Sequence, residues 1–179
     1  MSRRVVFEGR IVRLGLETAT LPNGQTVTLE VIRHPGAAAV VPIHPDGTVT
    51  LVHQYRHAAG GMVYEIPAGV LEPGEAPEDC AARELSEEVQ LSAHVLTLLT
   101  TIHTTPGFTD ERIHLFVAQD LRATDGKPEA DEFIRIVRMP MALALQMARD
   151  GRITDGKTIC GLTLAAAHLG MTRIARAVP

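Results

Sequence analysis

Gly69-Val70-Leu71-Glu72-Pro73-Gly74-Glu75-Ala76-Pro77-Glu78-Asp79-Cys80-Ala81-Ala82-Arg83-Glu84-Leu85-Ser86-Glu87-Glu88-Val89-Gln90-Leu91 reads as a loop that runs into a helix. Each residue of an α-helix advances about 100°. Glu88 therefore lies about 40° from Glu84, and Glu87 about 60° to its other side. Three carboxylates project from one face within little more than a turn. Like charges so spaced cost a helix a few tenths of a kcal/mol each. A hard divalent cation reverses the sign of that repulsion, because it seeks carboxylate oxygens. Most charge runs are solvated faces. Here the spacing of the flanking residues favours a metal site.

Gly69, five residues, Glu75, seven residues and then Arg83-Glu84-Leu85-Ser86-Glu87-Glu88-Val89-Gln90-Leu91 resembles the Nudix hydrolase signature. That signature is Gly-x5-Glu-x7-Arg-Glu-U-x-Glu-Glu-x-Gly-U, with U aliphatic, and it fixes many positions. Gln90 departs from it, standing where the family usually has glycine. The position ends the helix, where glycine adopts left-handed dihedrals cheaply. The resemblance implies an α/β fold, the Nudix α/β/α sandwich.

Composition fits that reading. A chain of 179 residues supports one full core, with 45% hydrophobic and 21% charged residues typical of globular proteins. The net charge is −4, yet residues 65–88 hold eight acids against Arg83 alone. No basic stripe suits a long nucleic acid. Cys80 and Cys160, the two cysteines, give neither a disulfide framework nor a zinc spacing. His53 and His57 lie on a strand and its exit, where a four-residue spacing makes no chelating pair. No apolar run approaches a membrane span, and Met1-Ser2-Arg3-Arg4 leads into strand-like sequence rather than a signal peptide. A cytoplasmic protein is expected.

Along the chain, strands are expected from Val5 to Leu16 and from Gln25 to Arg33, around Pro22-Asn23-Gly24. Two more, Ala37 to Ile43 and Thr48 to Gln54, flank Asp46-Gly47. His34-Pro35-Gly36 separates a small N-terminal antiparallel β-appendage, residues 1–36, from a main domain, residues 37–179. Val63 to Ile66 is a short strand entering the Gly69 loop. Pro77 opens a helix whose first turn carries Glu78 and Asp79, with Ala81, Leu85 and Val89 as its buried stripe. Strands near 95–103, 112–119 and 132–138 follow, then helices near 140–150 and 157–169.

Further segments resemble the ADP-ribose pyrophosphatases of that family: Gln54-Tyr55-Arg56, Glu65-Ile66-Pro67-Ala68-Gly69, Thr105-Pro106-Gly107-Phe108-Thr109-Asp110-Glu111 and Ala130-Asp131-Glu132. Pro106 lies fifteen residues past Leu91, a usual marker of the subfamily. The resemblance implies metal-dependent hydrolysis of ADP-ribose to AMP and ribose 5-phosphate. Another nucleotide sugar, such as GDP-mannose or ADP-glucose, is the alternative substrate. A non-catalytic ADP-ribose-binding regulator is the reading from a different class, and the intact carboxylates argue against it.

Glu84 and Glu88 are the expected principal metal ligands, with Glu87 bridging or holding an outer ion. The resemblance adds the Ala68 carbonyl. Magnesium is the expected ion, with manganese or zinc as alternatives. Arg83 and Glu75 brace the loop against the helix. The general base is left among Glu88, Glu87, Glu129 and Glu132, of which Glu132 fits the resemblance better than Glu129. Arg56 should meet a phosphate, Gly107 should allow close backbone approach, and Thr105 and Glu111 should contact phosphate or ribose. Ile11 and Glu30 match positions lining the adenine pocket of similar enzymes. A homodimer is implied, its N-terminal strands crossing to a partner.

Overall fold

A computed structural model describes residues 2–9, 12–126 and 133–171. Strands β1 (Arg3–Glu8), β2 (Arg13–Thr20) and β3 (Thr26–Arg33) form an antiparallel sheet in that order. The single strand expected from Val5 to Leu16 is thus two, paired so that Glu8 faces Arg13. The Gly9 N–H donates to the Val12 carbonyl at 2.9 Å, closing the reversal. Gly9, with no proline, asparagine or aspartate beside it, was too faint a signal to mark it. The hairpin at Pro22-Asn23-Gly24 forms as expected, with Gly24 at φ 84°.

The remaining elements are β4 (Ala37–Pro42), β5 (Thr48–Arg56), β6 (Gly61–Glu65), β7 (Ala68–Val70), α1 (Pro77–Val89), β8 (Leu91–His103), β9 (Arg112–Ala123), β10 (Ile134–Pro140), α2 (Met141–Arg149) and α3 (Gly156–His168). They build a four-stranded mixed sheet, β7-β4-β9-β8, and an antiparallel sheet, β10-β5-β6. Among the described strand pairs, β4 and β9 alone run parallel.

Ala37-Ala38-Ala39-Val40-Val41-Pro42 is buried throughout. A continuous apolar run, rather than an alternating one, is what a strand covered on both faces requires. Its two faces serve two cores. Ala37, Ala39 and Val41 pack with Ala144 and Met147 of α2 and Leu162 and Ala165 of α3. Ala38 and Val40 pack with Cys80, Ala81, Leu85 and Val89 of α1. Helices on opposite faces of the sheets give the α/β/α sandwich. Burying Leu85 alone contributes about 2 kcal/mol toward seating α1. Among the described residues no helix is long and apolar enough to cross a membrane.

Candidate active site

The apolar stripe of α1 fixes where its carboxylates point. Because Ala81, Leu85 and Val89 face the sheet, Glu84 and Glu88 come down at its edge, only 7% and 1% exposed. Glu87 sits further round and is half-exposed. Glu88 Oε2 accepts the Ala68 N–H at 2.9 Å. Glu84 lies flat on Gly69: a Cβ there would stand 1.7 Å from Glu84 Oε1. Any side chain at that position would expel the carboxylate. The motif's glycine and its first helical glutamate are therefore one packing unit.

Arg83 ties the loop to the helix. Its Nε donates to Glu75 Oε1 at 2.9 Å and its Nη2 to Glu75 Oε2 at 3.1 Å and to the Val70 carbonyl at 3.2 Å. Its Nη1 donates to Glu84 Oε1 at 2.6 Å and Glu87 Oε2 at 3.1 Å. The guanidinium holds the Glu75 carboxyl down at about 2. Cys80 beside them is no ligand candidate: burial pushes its thiol up to about 12. Among the described residues no three His, Cys, Asp or Glu side chains converge as a metal cage. Arg83 stands between Glu84 and Glu87, and Glu88 turns to the Ala68 amide. The donor set nevertheless fits a hard cation, since Glu84 and Glu88 bring carboxylate oxygens together on one buried face.

A second cluster lies across the β6–β7 turn. Arg56, at the end of β5, grips Glu65 with one edge of its guanidinium, Nε donating to Oε1 at 2.8 Å and Nη2 to Oε2 at 3.1 Å. Glu65 is 3% exposed and also accepts from Lys157 Nζ. Burial pushes the Glu65 carboxyl up, but Arg56 and Lys157 outweigh it and hold it below its ordinary value. Lys157 Nζ also lies 3.1 Å from Asp155 Oδ2. Asp155 caps α3, accepting from Thr158 N–H at 2.9 Å and its hydroxyl at 2.6 Å. The Thr158 oxygen in turn accepts the Ile66 N–H at 2.9 Å. Residues 65–69 are pinned from α3 at one end and from α1 at the other.

Sequence reading missed Lys157, Asp155 and Thr158 as parts of this site. The signal was there: Asp155-Gly156-Lys157-Thr158 before an apolar run is a helix start. What it caps was not readable, because its partners Glu65 and Ile66 lie 92 residues away.

Lys157 lines two clefts. One, of about 520 Å³, also takes in His103, Thr104, Glu111, Asp155 and Cys160. The other, of about 370 Å³, includes Arg56, Val63 and Glu65. Glu111 accepts from the Thr104 hydroxyl at 2.6 Å, and His34 Nε2 stands 3.6 Å from its other oxygen. Thr105 and Gly107 stand exposed in the β8–β9 loop, and Glu30 stands exposed on β3. Ile11, Glu129 and Glu132 lie outside the described residues. So do Ala130 and Asp131.

Residues 33–160 match the model of the NUDIX domain. The chain belongs to the Nudix hydrolases. It is similar to an ADP-ribose pyrophosphatase of Bacillus subtilis (strain 168), 38% identical over 88% of this chain and 86% of the relative. A second ADP-ribose pyrophosphatase, of Mycobacterium tuberculosis (strain ATCC 25618 / H37Rv), is 37% identical over 100% of this chain and 87% of its own. A methanol dehydrogenase activator of Bacillus methanolicus is 41% identical over 86% and 84%. Among solved structures, a crystal structure of an ADP compounds hydrolase superposes with a TM-score of 0.82. It covers 97% of this chain and 95% of that one at 24% identity, which bears on the fold alone. The α/β/α sandwich is thus the Nudix fold.

Proposed function

We propose that this Nudix hydrolase cleaves the pyrophosphate bond of ADP-ribose to AMP and ribose 5-phosphate, in the cytoplasm and as a homodimer. The observation that carries the chemistry is the buried pair Glu84 and Glu88, held against Gly69 and Ala68. The ADP-ribose pyrophosphatases among its relatives, matched over most of both chains, support the substrate.

Glu84, Glu88, Glu87 and the Ala68 carbonyl would hold the metal, and an all-oxygen donor set favours magnesium or manganese over zinc. Bound there, a divalent ion neutralises pyrophosphate oxygens and acidifies a water. The chain's own part is orientation. Arg83 and Glu75 keep the glutamates on one face, because an arginine fork fixes a carboxylate's plane. Arg56, already aligned by Glu65, presents its half-exposed face to a phosphate. Thr105, Gly107 and Glu111 take the phosphate and terminal ribose, while Ile11 and Glu30 take adenine. The proton goes to Glu87, Glu88 or a glutamate after β9, Glu129 or Glu132. Residues 1–36 serve as the appendage and 37–179 as the hydrolase domain.

Release of AMP from ADP-ribose with magnesium, beside GDP-mannose and ADP-glucose, tests the substrate. Preference for ADP-ribose is expected; a flat profile overturns it, and tight binding without cleavage favours a regulator. Glu88→Gln should lower kcat at least about 100-fold while shifting Tm by only a few degrees. Near-normal turnover in that variant sinks the site.

A further inference from the structure

The β8–β9 loop, residues 104–111, leans on the N-terminal sheet. The Ile32 N–H donates to the Phe108 carbonyl at 2.8 Å, and the Asp110 N–H to the Ile32 carbonyl at 3.3 Å. Ile32 and Thr109 form a parallel bridge. Asp110 then reaches back with its side chain. Its Oδ1 accepts the His34 N–H at 2.9 Å and its Oδ2 accepts Arg33 Nη1 at 2.8 Å. Arg33 uses its other edge on Glu17 of β2, with Nε at 2.9 Å and a second bond from Nη2. Arg3 of β1 approaches the same carboxylate at 3.4 Å.

All three strands of the sheet thus contribute one charge, and Asp110 is the member that belongs to the loop. Two cations and two anions cancel, so the network is not built to attract a phosphate. Arg33 and Asp110 are each about 40% exposed, and an ion pair so placed adds little to global stability. A fork that binds two carboxylates at once fixes geometry instead. His34, one residue on, continues the pattern. Its Nδ1 accepts the Gly36 N–H at 3.1 Å, and its Nε2 faces Glu111.

We propose that Arg33 is a positioning residue: through Asp110 it sets the loop that carries Thr105, Gly107 and Glu111. The N-terminal sheet is then part of the substrate site within one chain. The proposal rests on the reading of that loop as the substrate loop, so its test has an arm that needs no substrate.

Arg33→Met, Asp110→Asn, their double variant and Arg33→Lys are compared with the wild type. Amide hydrogen exchange across residues 104–111 should speed up about tenfold in each single variant, no further in the double, and less in Arg33→Lys. Exchange in β4 and β9 should stay as it was, which separates loop release from unfolding. With ADP-ribose and magnesium, KM should rise about fivefold or more with kcat within twofold, again without additivity in the double. Unchanged loop exchange, additive losses, or a fall in kcat at constant KM overturns the proposal. A wild type that leaves ADP-ribose intact overturns the substrate reading, while the exchange arm still decides the role of Arg33.

Discussion

Gln90 is the residue at which this sequence departs from its family's motif, and the backbone does not follow the departure. It sits at φ 57° and ψ 39°, the left-handed region, at the C-terminus of α1. Its N–H still donates to the Ser86 carbonyl at 3.0 Å. The helix therefore ends as glycine would end it, and the cost is carried by a side chain that crowds its own carbonyl. The position is two residues beyond Glu88, so the Glu84 and Glu88 carboxylates keep their places. Gln90→Gly should raise stability by about 0.5–1 kcal/mol, the relief of strain exceeding the extra freedom glycine has when unfolded. Urea denaturation would read this as a higher midpoint at constant m, with kcat unchanged. A lower midpoint would show that the Gln90 side chain contributes more than its backbone costs. The departure itself was legible in the sequence; its conformation was not, because only the neighbouring turns impose it.

At the scale of elements, what the sequence disclosed was local. The helix from Pro77 to Val89, its buried stripe and the run of small residues in β4 follow from periodicity and capping, which act within a few residues. The pairings that hold the loops around the candidate site join residues far apart, and no spacing rule reaches them. Lys157 with Glu65, Thr158 with Ile66 and Arg33 with Asp110 are of this kind. Between these extremes lies the Glu75–Arg83 brace, eight residues apart and joined by two bonds. Its pH dependence has a definite sign. A carboxylate held at about 2 when folded and near 4.3 when unfolded contributes stability above pH 4.3. That contribution is lost as pH falls toward 2. Glu75→Gln should therefore be less stable than the wild type at pH 6, and the difference should shrink steadily between about pH 4.5 and 2. Thermal melts of the two proteins across that range check it. A gap that stays constant would mean that Glu75 acts through shape and not through charge.

At the scale of the whole molecule, one sheet stands without a covering layer among the described residues. The N-terminal sheet has three strands, and β1, at its edge, exposes Val5, Val6 and Phe7 at 40%, 51% and 57%. Leu29 on β3 is 44% exposed. A short sheet with apolar side chains in water is only marginally stable by itself, and an apolar edge strand invites another chain. The other two sheets have their helices; among the described residues, this one has none packed on it in the hydrophobic clusters. A second copy would supply the cover economically, because one self-complementary patch used twice closes an assembly. The homodimer that the family resemblance implies is the assembly to test. Light scattering should give about twice the 19.3 kDa chain mass at micromolar concentration. Val6→Lys with Phe7→Glu should weaken the dimer at least about 100-fold, since burying two large apolar side chains contributes roughly 3 kcal/mol or more. If the partner's strands also help to close the adenine side of the site, the monomeric variant should lose affinity for ADP-ribose in parallel with its loss of mass. Dilution of the wild type through its dissociation range should trace the same curve. A variant that becomes monomeric at full affinity would confine the whole site to one chain.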